Sequence, residues 1–527
     1  MISVKNMQKR LLLCLFYSVT LLAVGTVHSE ERGMTPAEVD ALIELAMEKF
    51  QVPGVSFGLI KDGKIIISKG YGVLEVGKKA RVDDETLFAI ASNSKAFTAA
   101  SLAILVDEKK LNWDDKVTDY IPTFQMYDPW VTREFKIRDL LVHNSGLGLG
   151  AGDLMFWPSS GFSRKEIVHG LRYLKPISSF RSEYAYDNLM YILAGEVVEA
   201  ISGVPYERFV ETRILKPLDM KNCAADRVRL KGYKNIAEPH VLSERKLVRT
   251  KRIEKPYEKA VSAAAGGILC STKSMLKWVN MHLHNGKLPN GTTLLSQEQH
   301  EIMIAPHTPM SVPKEFREKF QSNFKAYGLG FRVQDINGHK WVAHTGGLQG
   351  MVSYVNMIPD IDLGFVMFTN QHSGAFLSAV ANTLLEAYTS ERSTDWITYY
   401  EAKRKEQVAE AAKLVPVLED SAYSPEQLLD YYIGTYRDPW FGKVTISEKN
   451  GGLYFASEKS ERLRGRMLPY KEDLFIVYWD ERELEADAYV KFERSFNRTL
   501  SGFVMKAVSP LTDFSFDFQD LDFRLVE

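Results

Sequence analysis

Length, composition and charge exclude several classes of protein before any motif is considered. The chain has 527 residues, 45% hydrophobic and 25% charged, which is typical of folded globular proteins and not of disordered, collagen-like or coiled-coil chains. Its 66 basic and 67 acidic residues give a net charge of −1, so no overall field attracts nucleic acid. With only 3 cysteines, the chain is not a disulfide-built scaffold.

The first thirty residues have the pattern of a secretory signal peptide. A basic start over residues 5–10 precedes an apolar run over 11–25, and small residues lead to a cleavage site after Ser29. The run is short for a membrane span, which needs about 20 apolar residues, so membrane contact is expected only if this segment stays uncleaved. The pattern predicts a periplasmic or secreted protein. Cleavage leaves two cysteines, Cys223 and Cys270, which can form at most one disulfide.

The next region begins and ends with predicted strands and has helices in its middle. Apolar spacing predicts a helix over 35–50, and Lys61-Asp62-Gly63 between two apolar runs predicts a hairpin of strands 55–60 and 64–70. Residues from about 84 to 200 are mostly helical in pattern. Further along, the predicted elements are strands 354–357 and 364–369 and a closing helix over 374–388. This order indicates an antiparallel sheet with helices packed on it, plus a helical insertion.

The last part of the chain has a different pattern of predicted secondary structure. A charged helix is predicted over 394–414, followed by a linker around 415–424. Short strand candidates separated by turn residues come next, at 444–446, 453–455, 474–479, 488–492 and 502–508. They predict a separate all-β unit, a small barrel or sandwich. The expected organisation is a signal peptide over 1–29, a first domain over 30–392, a helical linker over 393–424 and an all-β domain over 425–527.

The first candidate for chemistry is a serine with a lysine three residues later. Ser92 and Lys95 have this spacing, and an apolar run over 87–91 leads into a helix whose first turn holds the serine. Residues i and i+3 share a helix face, so Lys95 can accept the Ser92 proton if burial lowers its pKa. The alternative is a helix cap beside a solvated lysine. The same spacing without this context occurs at Ser243, Ser274, Ser311 and Ser322.

Two further motifs are weak when taken alone. Tyr186-Asp187-Asn188 precedes a regularly spaced helix, a position where a tyrosine can face a cleft and transfer protons and where Asn188 can orient a substrate amide. His344-Thr345-Gly346-Gly347 follows a predicted strand, and glycines on a strand let another backbone approach closely. The alternatives are ordinary packing of the tyrosine ring for the first motif and a strand end with a turn for the second. Zinc, phosphate-loop and G-x-S-x-G motifs are not evident in the sequence.

Taken in order, the three motifs resemble those of the penicillin-recognising serine hydrolases. The similar branch holds class C β-lactamases, D-alanyl-D-alanine carboxypeptidases, D-aminopeptidases and family VIII esterases. Residues 140–147 resemble its L-L-x-H-T-S-G-L stretch, with Asn144 in the threonine place, and 265–272 resemble its A-G-G-L-x-S-T stretch. The resemblance covers roughly residues 35–390. It implies an α+β fold, with an antiparallel sheet flanked by helices and a helical subdomain.

The resemblance also implies roles for the motif residues. Ser92 is the expected nucleophile, acylated and then hydrolysed, with Lys95 and Tyr186 sharing general-base work. Tyr186 also protonates the leaving group, and the N–H groups of Ser92 and Gly347 form the oxyanion hole. Substrate binding is implied for Asn188, His344, Thr345, Gly346 and Gly347. No metal or organic cofactor is implied.

One departure from the pattern bears on the substrate. Class C β-lactamases have a lysine in the place of His344, and a neutral imidazole would hold a substrate carboxylate less firmly. This weakens the case for a β-lactamase and favours a peptidase or an esterase. The leading prediction is a peptidase that acts on small or D-amino-acid-containing peptides. The alternatives are a carboxylesterase, a weak β-lactamase, and a non-enzymatic sensor or scaffold that keeps the fold.

The C-terminal part resembles a domain of unknown function that follows such hydrolases and is lipocalin-like in related proteins. Residues 428–436 and 509–517 carry this resemblance. A barrel of this kind can hold a small apolar ligand. The alternatives are packing on the first domain, gating of its cleft, and homo-oligomerisation. The expected partners are therefore a small-molecule or peptide substrate and a second copy of the chain, without nucleic acid.

Overall fold

The computed structural model describes residues 32–230, 232–243, 246–250, 261–416 and 429–526. The predicted signal peptide and residues 417–424 of the predicted linker lie outside these residues. In the described part of the chain, no single helix has the length and apolar composition needed to cross a membrane. One pair of helices bent by 75°, Leu189–Ser202 and Tyr206–Leu215, meets that criterion jointly.

An eight-stranded antiparallel sheet forms the centre of the first domain. The predicted hairpin at Asp62-Gly63 is confirmed, and both turn residues have the positive φ that such a two-residue connection requires, at 50° and 68°. The second predicted hairpin is also confirmed. In spatial order the strands are Lys64–Gly72, Gly54–Lys61, Leu363–Thr369, Met351–Ile358, His339–Leu348, Arg332–Ile336, Lys325–Tyr327 and Thr308–Pro309.

Helices cover both faces of this sheet. The predicted first helix begins with a capping box, in which Thr35 and Glu38 satisfy each other's backbone N–H groups. This helix packs with the helices Gly374–Thr389 and Trp396–Leu414 on one face of the sheet. The helix Ser94–Asp107 belongs to the core on the other face. The described α-helices are Pro36–Phe50, Ser94–Asp107, Val117–Tyr120, Pro129–Glu134, Arg164–Gly170, Leu189–Ser202, Tyr206–Val210, Thr272–Leu283, Gln297–Met303, Lys314–Lys319, Gly374–Thr389 and Trp396–Leu414.

The helix predicted over 394–414 begins inside the core of the first domain. Its first residue, Trp396, is buried, stacks on Phe320 at 5.5 Å and donates its indole N–H to Glu386 at 3.0 Å. The start of this helix therefore packs as part of the first domain, and the remainder leads towards the second.

A closed eight-stranded barrel forms the second domain, as the all-β prediction expected. The predicted strand segments are present, and three further strands complete the closure: Gly434–Asp438, Arg464–Lys471 and Asp522–Leu525. The other five are Gly442–Lys449, Gly452–Ser457, Leu474–Trp479, Ala488–Arg494 and Leu500–Ala507. Inside, the Phe503 ring lies 4.5 Å from Phe523 and 5.4 Å from Phe492 between ring centroids. Aromatic side chains thus occupy the middle of the barrel.

Candidate active site

Ser92 lies in a tight turn directly before the helix Ser94–Asp107. The strand before it, Phe88–Ala89, pairs with Leu269–Cys270, and a disulfide joins Cys270 to Cys223. Ala91 has a positive φ of 48°, which L-residues adopt rarely and mostly at sites that the surrounding structure constrains. Strand, disulfide and turn together hold Ser92 at the wall of a large cavity.

Lys95 is buried beside the Ser92 hydroxyl. Its Nζ lies 3.2 Å from Ser92 Oγ, 2.7 Å from Asn188 Oδ1 and 2.8 Å from the carbonyl oxygen of Ala265. Burial lowers the pKa of Lys95 to about 7, although the Asp153 carboxylate acts in the opposite direction. A neutral amine has two N–H donors and one lone pair. With Asn188 and Ala265 accepting the two donors, the lone pair faces Ser92 and can accept its proton.

Tyr186 lies beside Ser92 and Lys95. Lys95 Nζ lies 4.8 Å from the centre of its ring, and the His143 ring packs on it at 4.2 Å between centroids. Burial raises the pKa of Tyr186 above its ordinary value of 10.0, although Arg332 and the Ser92 hydroxyl act in the opposite direction. The phenol therefore stays protonated at neutral pH, where it can donate a proton to a leaving group.

The glycines of the third motif let the strand His339–Leu348 pass close to the nucleophile turn. A Cβ on Gly346 would lie 2.2 Å from the carbonyl oxygen of Ile90, so only glycine fits there. Ser353, opposite Gly346 in the sheet, donates its hydroxyl to the same carbonyl at 2.6 Å. A Cβ on Gly347 would meet nothing within 4 Å, because this residue faces the cavity that Ser92 also lines.

The structure gives His344 and its neighbour different environments. The His344 ring is 1% exposed and is held between the Tyr327 hydroxyl at 2.9 Å and the carbonyl oxygen of Thr345 at 2.6 Å. Burial, with Arg332 and Lys95 nearby, holds the pKa of His344 well below its usual range, so the imidazole is neutral. Thr345 lines the cavity and accepts a hydrogen bond from Arg332 at 3.0 Å. Arg332, which the sequence motifs did not indicate, therefore brings a guanidinium cation to this wall, which Lys325 also lines.

Asn188 is bonded on both sides within the protein. Its Oδ1 accepts from Lys95, and its Nδ2 donates to Asp153 Oδ2 at 2.7 Å. Asp153 is fully buried, and burial raises the pKa of this carboxyl well above its ordinary value. In this arrangement Asn188 orients the lysine, and one Nδ2 hydrogen is left for the substrate contact that the sequence predicted. Asp153 was not found from the sequence, because no local motif contains it.

The cavity has a volume of about 1460 Å³, larger than the roughly 300–1,000 Å³ of common small-ligand pockets. Ser92, Tyr186 and Gly347 line it together with many apolar side chains and with Arg462 and Thr512–Ser515 of the barrel. Among the described residues, no group of three or more histidine, cysteine or acidic side chains could hold a metal ion. The arrangement offers a base, a nucleophile, a proton donor and a roomy cleft.

Comparison with known proteins gives two family matches. The model described as Beta-lactamase matches residues 39–389, and a domain of unknown function, DUF3471, matches residues 419–524. Unguisins hydrolase ungD' of Aspergillus campestris is 26% identical over 83% of this chain and 83% of its own length. Protein flp of Staphylococcus aureus is 25% identical over 64% of this chain, and the match spans 63% of flp, less than two thirds of its length.

Solved structures show the same fold at lower identity. The octameric penicillin-binding protein homologue from Pyrococcus abyssi superposes with a TM-score of 0.59 and 21% identity, over 94% of this chain and 100% of its own. The crystal structure of SurE gives a TM-score of 0.53 and 19% identity, over 89% and 96% of the two chains. At these identities the likeness concerns the fold alone.

Proposed function

This chain belongs to the Beta-lactamase family, and we propose that it is an exported serine peptidase that cleaves small or D-amino-acid-containing peptides through an acyl-Ser92 intermediate. The observation that carries the proposal is the buried Lys95 amine, 3.2 Å from Ser92 Oγ with its other contacts occupied. Nucleophile and base within hydrogen-bond reach, with the base oriented by further groups, is the arrangement that covalent catalysis needs.

In the proposed acylation, Lys95 takes the proton of Ser92 while Oγ bonds to the substrate carbonyl carbon. The N–H groups of Ser92 and Gly347 hold the resulting oxyanion, and losing one such donor typically lowers the rate by about 10²–10³-fold. Tyr186 then protonates the leaving nitrogen, the C–N bond breaks, and the Lys95 ammonium restores the phenol proton. Water hydrolyses the acyl-enzyme by the reverse proton path. The lowered pKa of Lys95 and the raised pKa of Tyr186 support this division between base and proton donor.

Five observations support the finer parts of the proposal. The size of the cavity suits a peptide, and Arg332 supplies a fixed cation for a substrate carboxylate. The Cys223–Cys270 disulfide suits the oxidising compartment to which the N-terminal pattern would send the protein. One relative is itself named a hydrolase, which supports the enzymatic activity. One structural neighbour is octameric, which supports a homo-oligomer, and light scattering would test this oligomeric state. The apolar lining favours one second candidate, a carboxylesterase.

The test uses the full chain, expressed in an export-competent host and purified after processing. Wild type and Ser92→Ala are assayed on D- and L-alanyl p-nitroanilides, p-nitrophenyl acetate and nitrocefin. Ser92→Ala should lose about 10⁴-fold or more of the activity. The matched control is Ser311→Ala, since Ser311 also has a lysine three residues later but lies exposed.

Each outcome of this test has a definite meaning. Preference for an anilide supports a peptidase, whereas preference for the acetate or nitrocefin selects the esterase or the β-lactamase. Equal activity of wild type and Ser92→Ala would contradict the proposal. So would an inert wild type that gives no acyl-enzyme with a fluorescent penicillin, which would favour a sensor. An N-terminal residue other than Glu30 after processing would contradict the predicted cleavage site.

A further inference from the structure

A loop of the C-terminal barrel reaches the catalytic cleft of the first domain. It connects the strands Leu500–Ala507 and Asp522–Leu525, and its residues Thr512–Ser515 line the same cavity as Ser92. The Phe514 ring meets the Tyr186 ring edge-on at 5.8 Å between centroids. A Cβ on Gly150 would lie 2.7 Å from the carbonyl oxygen of Phe514, so the loop backbone lies directly against the first domain.

Three consecutive hydrogen bonds connect this loop to the lysine. Ser515 Oγ donates to Asp153 Oδ2 at 2.7 Å, Asn188 Nδ2 donates to the same oxygen at 2.7 Å, and Asn188 Oδ1 accepts from Lys95 at 2.7 Å. All four side chains belong to buried residues. Because Ser515 and Asn188 converge on one carboxylate oxygen, the position of Asp153 determines which way the Asn188 amide faces.

A second link fixes the backbone around Asp153. The buried Asp517 carboxylate accepts the N–H of Gly152 at 2.6 Å and the N–H of Leu154 at 3.0 Å, the two residues that flank Asp153. The barrel loop therefore makes hydrogen bonds both to the side chain of Asp153 and to the backbone N–H groups of the residues on either side of Asp153. A domain contact that served adhesion alone could be apolar, since burying carboxylates opposes folding unless each is well bonded.

We propose that this loop is part of the catalytic centre and that Ser515 is a positioning residue for Lys95. Ser515 holds Asp153, Asp153 orients the Asn188 amide, and the amide oxygen takes one lysine N–H, which leaves the lone pair directed at Ser92. The inference rests on the proposed function, because it concerns the base of that reaction. Ser515 acts through two other side chains and takes no part in proton transfer itself.

The experiment compares Ser515→Ala, Ser515→Thr and Ser509→Ala in the full chain. Ser515→Ala should lower kcat about 10- to 100-fold, the loss typical of a small misplacement of a catalytic group, with KM changed by less than about twofold. Ser515→Thr keeps the hydroxyl and should restore most of kcat. Ser509→Ala is the matched control, since its hydroxyl lies in the same loop and accepts a local N–H, from Leu511.

A double-mutant comparison isolates the path through Asp153. If Ser515 acts through that carboxylate, Ser515→Ala should add little further loss of kcat to Asp153→Asn, whereas independent effects would multiply. Unchanged kcat in Ser515→Ala, multiplied losses, or a loss that Ser515→Thr does not restore would each overturn the inference. Ser92→Ala in the same assay separates the two claims. If it is inactive, only the role of Ser515 falls; if it is as active as wild type, the proposed function falls as well.

Discussion

The middle of the barrel and the surroundings of Ser92 differ in the kinds of side chain that they bury. The barrel fills its centre with aromatic rings, and its buried Tyr436 hydroxyl is satisfied by the backbone oxygen of Tyr432 at 2.8 Å. The first domain instead buries the amine of Lys95, the carboxyl group of Asp153 and the phenol of Tyr186 near the cavity that Ser92 lines. The middle of the barrel is thus packed with aromatic rings, whereas these three polar groups of the first domain lie near the proposed nucleophile.

This difference shows how stability and reactivity are divided along the chain. Burying an ionisable group opposes folding by several kcal/mol unless hydrogen bonds and charges compensate it. Around Asp153, part of that compensation comes from the barrel, through Ser515 and Asp517. The barrel therefore contributes hydrogen bonds to the first domain at the place where, in our proposal, Lys95 is oriented.

The largest expected effect on stability is in the barrel core. Phe503 is fully buried, and its ring contacts those of Tyr436, Phe455, Phe492 and Phe523. Phe503→Ala should lower the free energy of unfolding by about 3–5 kcal/mol, through lost burial and the cavity left behind. The control Phe324→Ala removes a ring that is 77% exposed and should change it by less than about 0.5 kcal/mol.

Denaturant unfolding followed by fluorescence and by residual activity measures this effect. Because the barrel carries Ser515, activity should fall by about 10-fold or more at the denaturant concentration at which the barrel unfolds. Activity that persists after the barrel has unfolded would show that the first domain orients its base without help. Equal unfolding midpoints for the two phenylalanine variants would contradict the packing argument.

The sequence predicted the parts of the site that are local along the chain. Ser92 and Lys95 are three residues apart, so the turn at Ser92 and the first turn of the following helix bring them together, and Asp62-Gly63 encodes its own turn. Ser515 and Asp153 are separated by 362 positions. The spacing of apolar residues along a sequence does not predict which loops of two domains come into contact. Arg332 was not predicted either, because its contact with Thr345 depends on the pairing of two strands. The first and last barrel strands are short, and Arg464–Lys471 begins with polar residues, so their patterns are weak.

The next prediction concerns the charge on the cavity wall. Arg332→Gln should lower kcat/KM about 10- to 100-fold for a peptide with a free C-terminal carboxylate, since hydrogen bonds to charged groups contribute about 1.5–3 kcal/mol. The same peptide with an amidated C-terminus should change by less than about threefold. Arg317→Gln on the helix Lys314–Lys319 serves as the matched control. Equal losses for both peptides would assign Arg332 to support of the fold, with no part in carboxylate recognition.

The smallest expected effect is a pH dependence that identifies the base. Lys95 accepts a proton only when neutral, and its pKa is about 7, so kcat/KM should rise up to tenfold per pH unit below that value and level off above it. Arg332 helps to lower the pKa of Lys95, so Arg332→Gln should move the inflection to higher pH, whereas Arg317→Gln should leave it in place. Initial rates on an alanyl p-nitroanilide, with Ser92→Ala as the blank, measure both profiles. A kcat/KM that falls as the pH rises through the same range would mean that the protonated lysine is the reactive form, and the base would then have to be found elsewhere in the site.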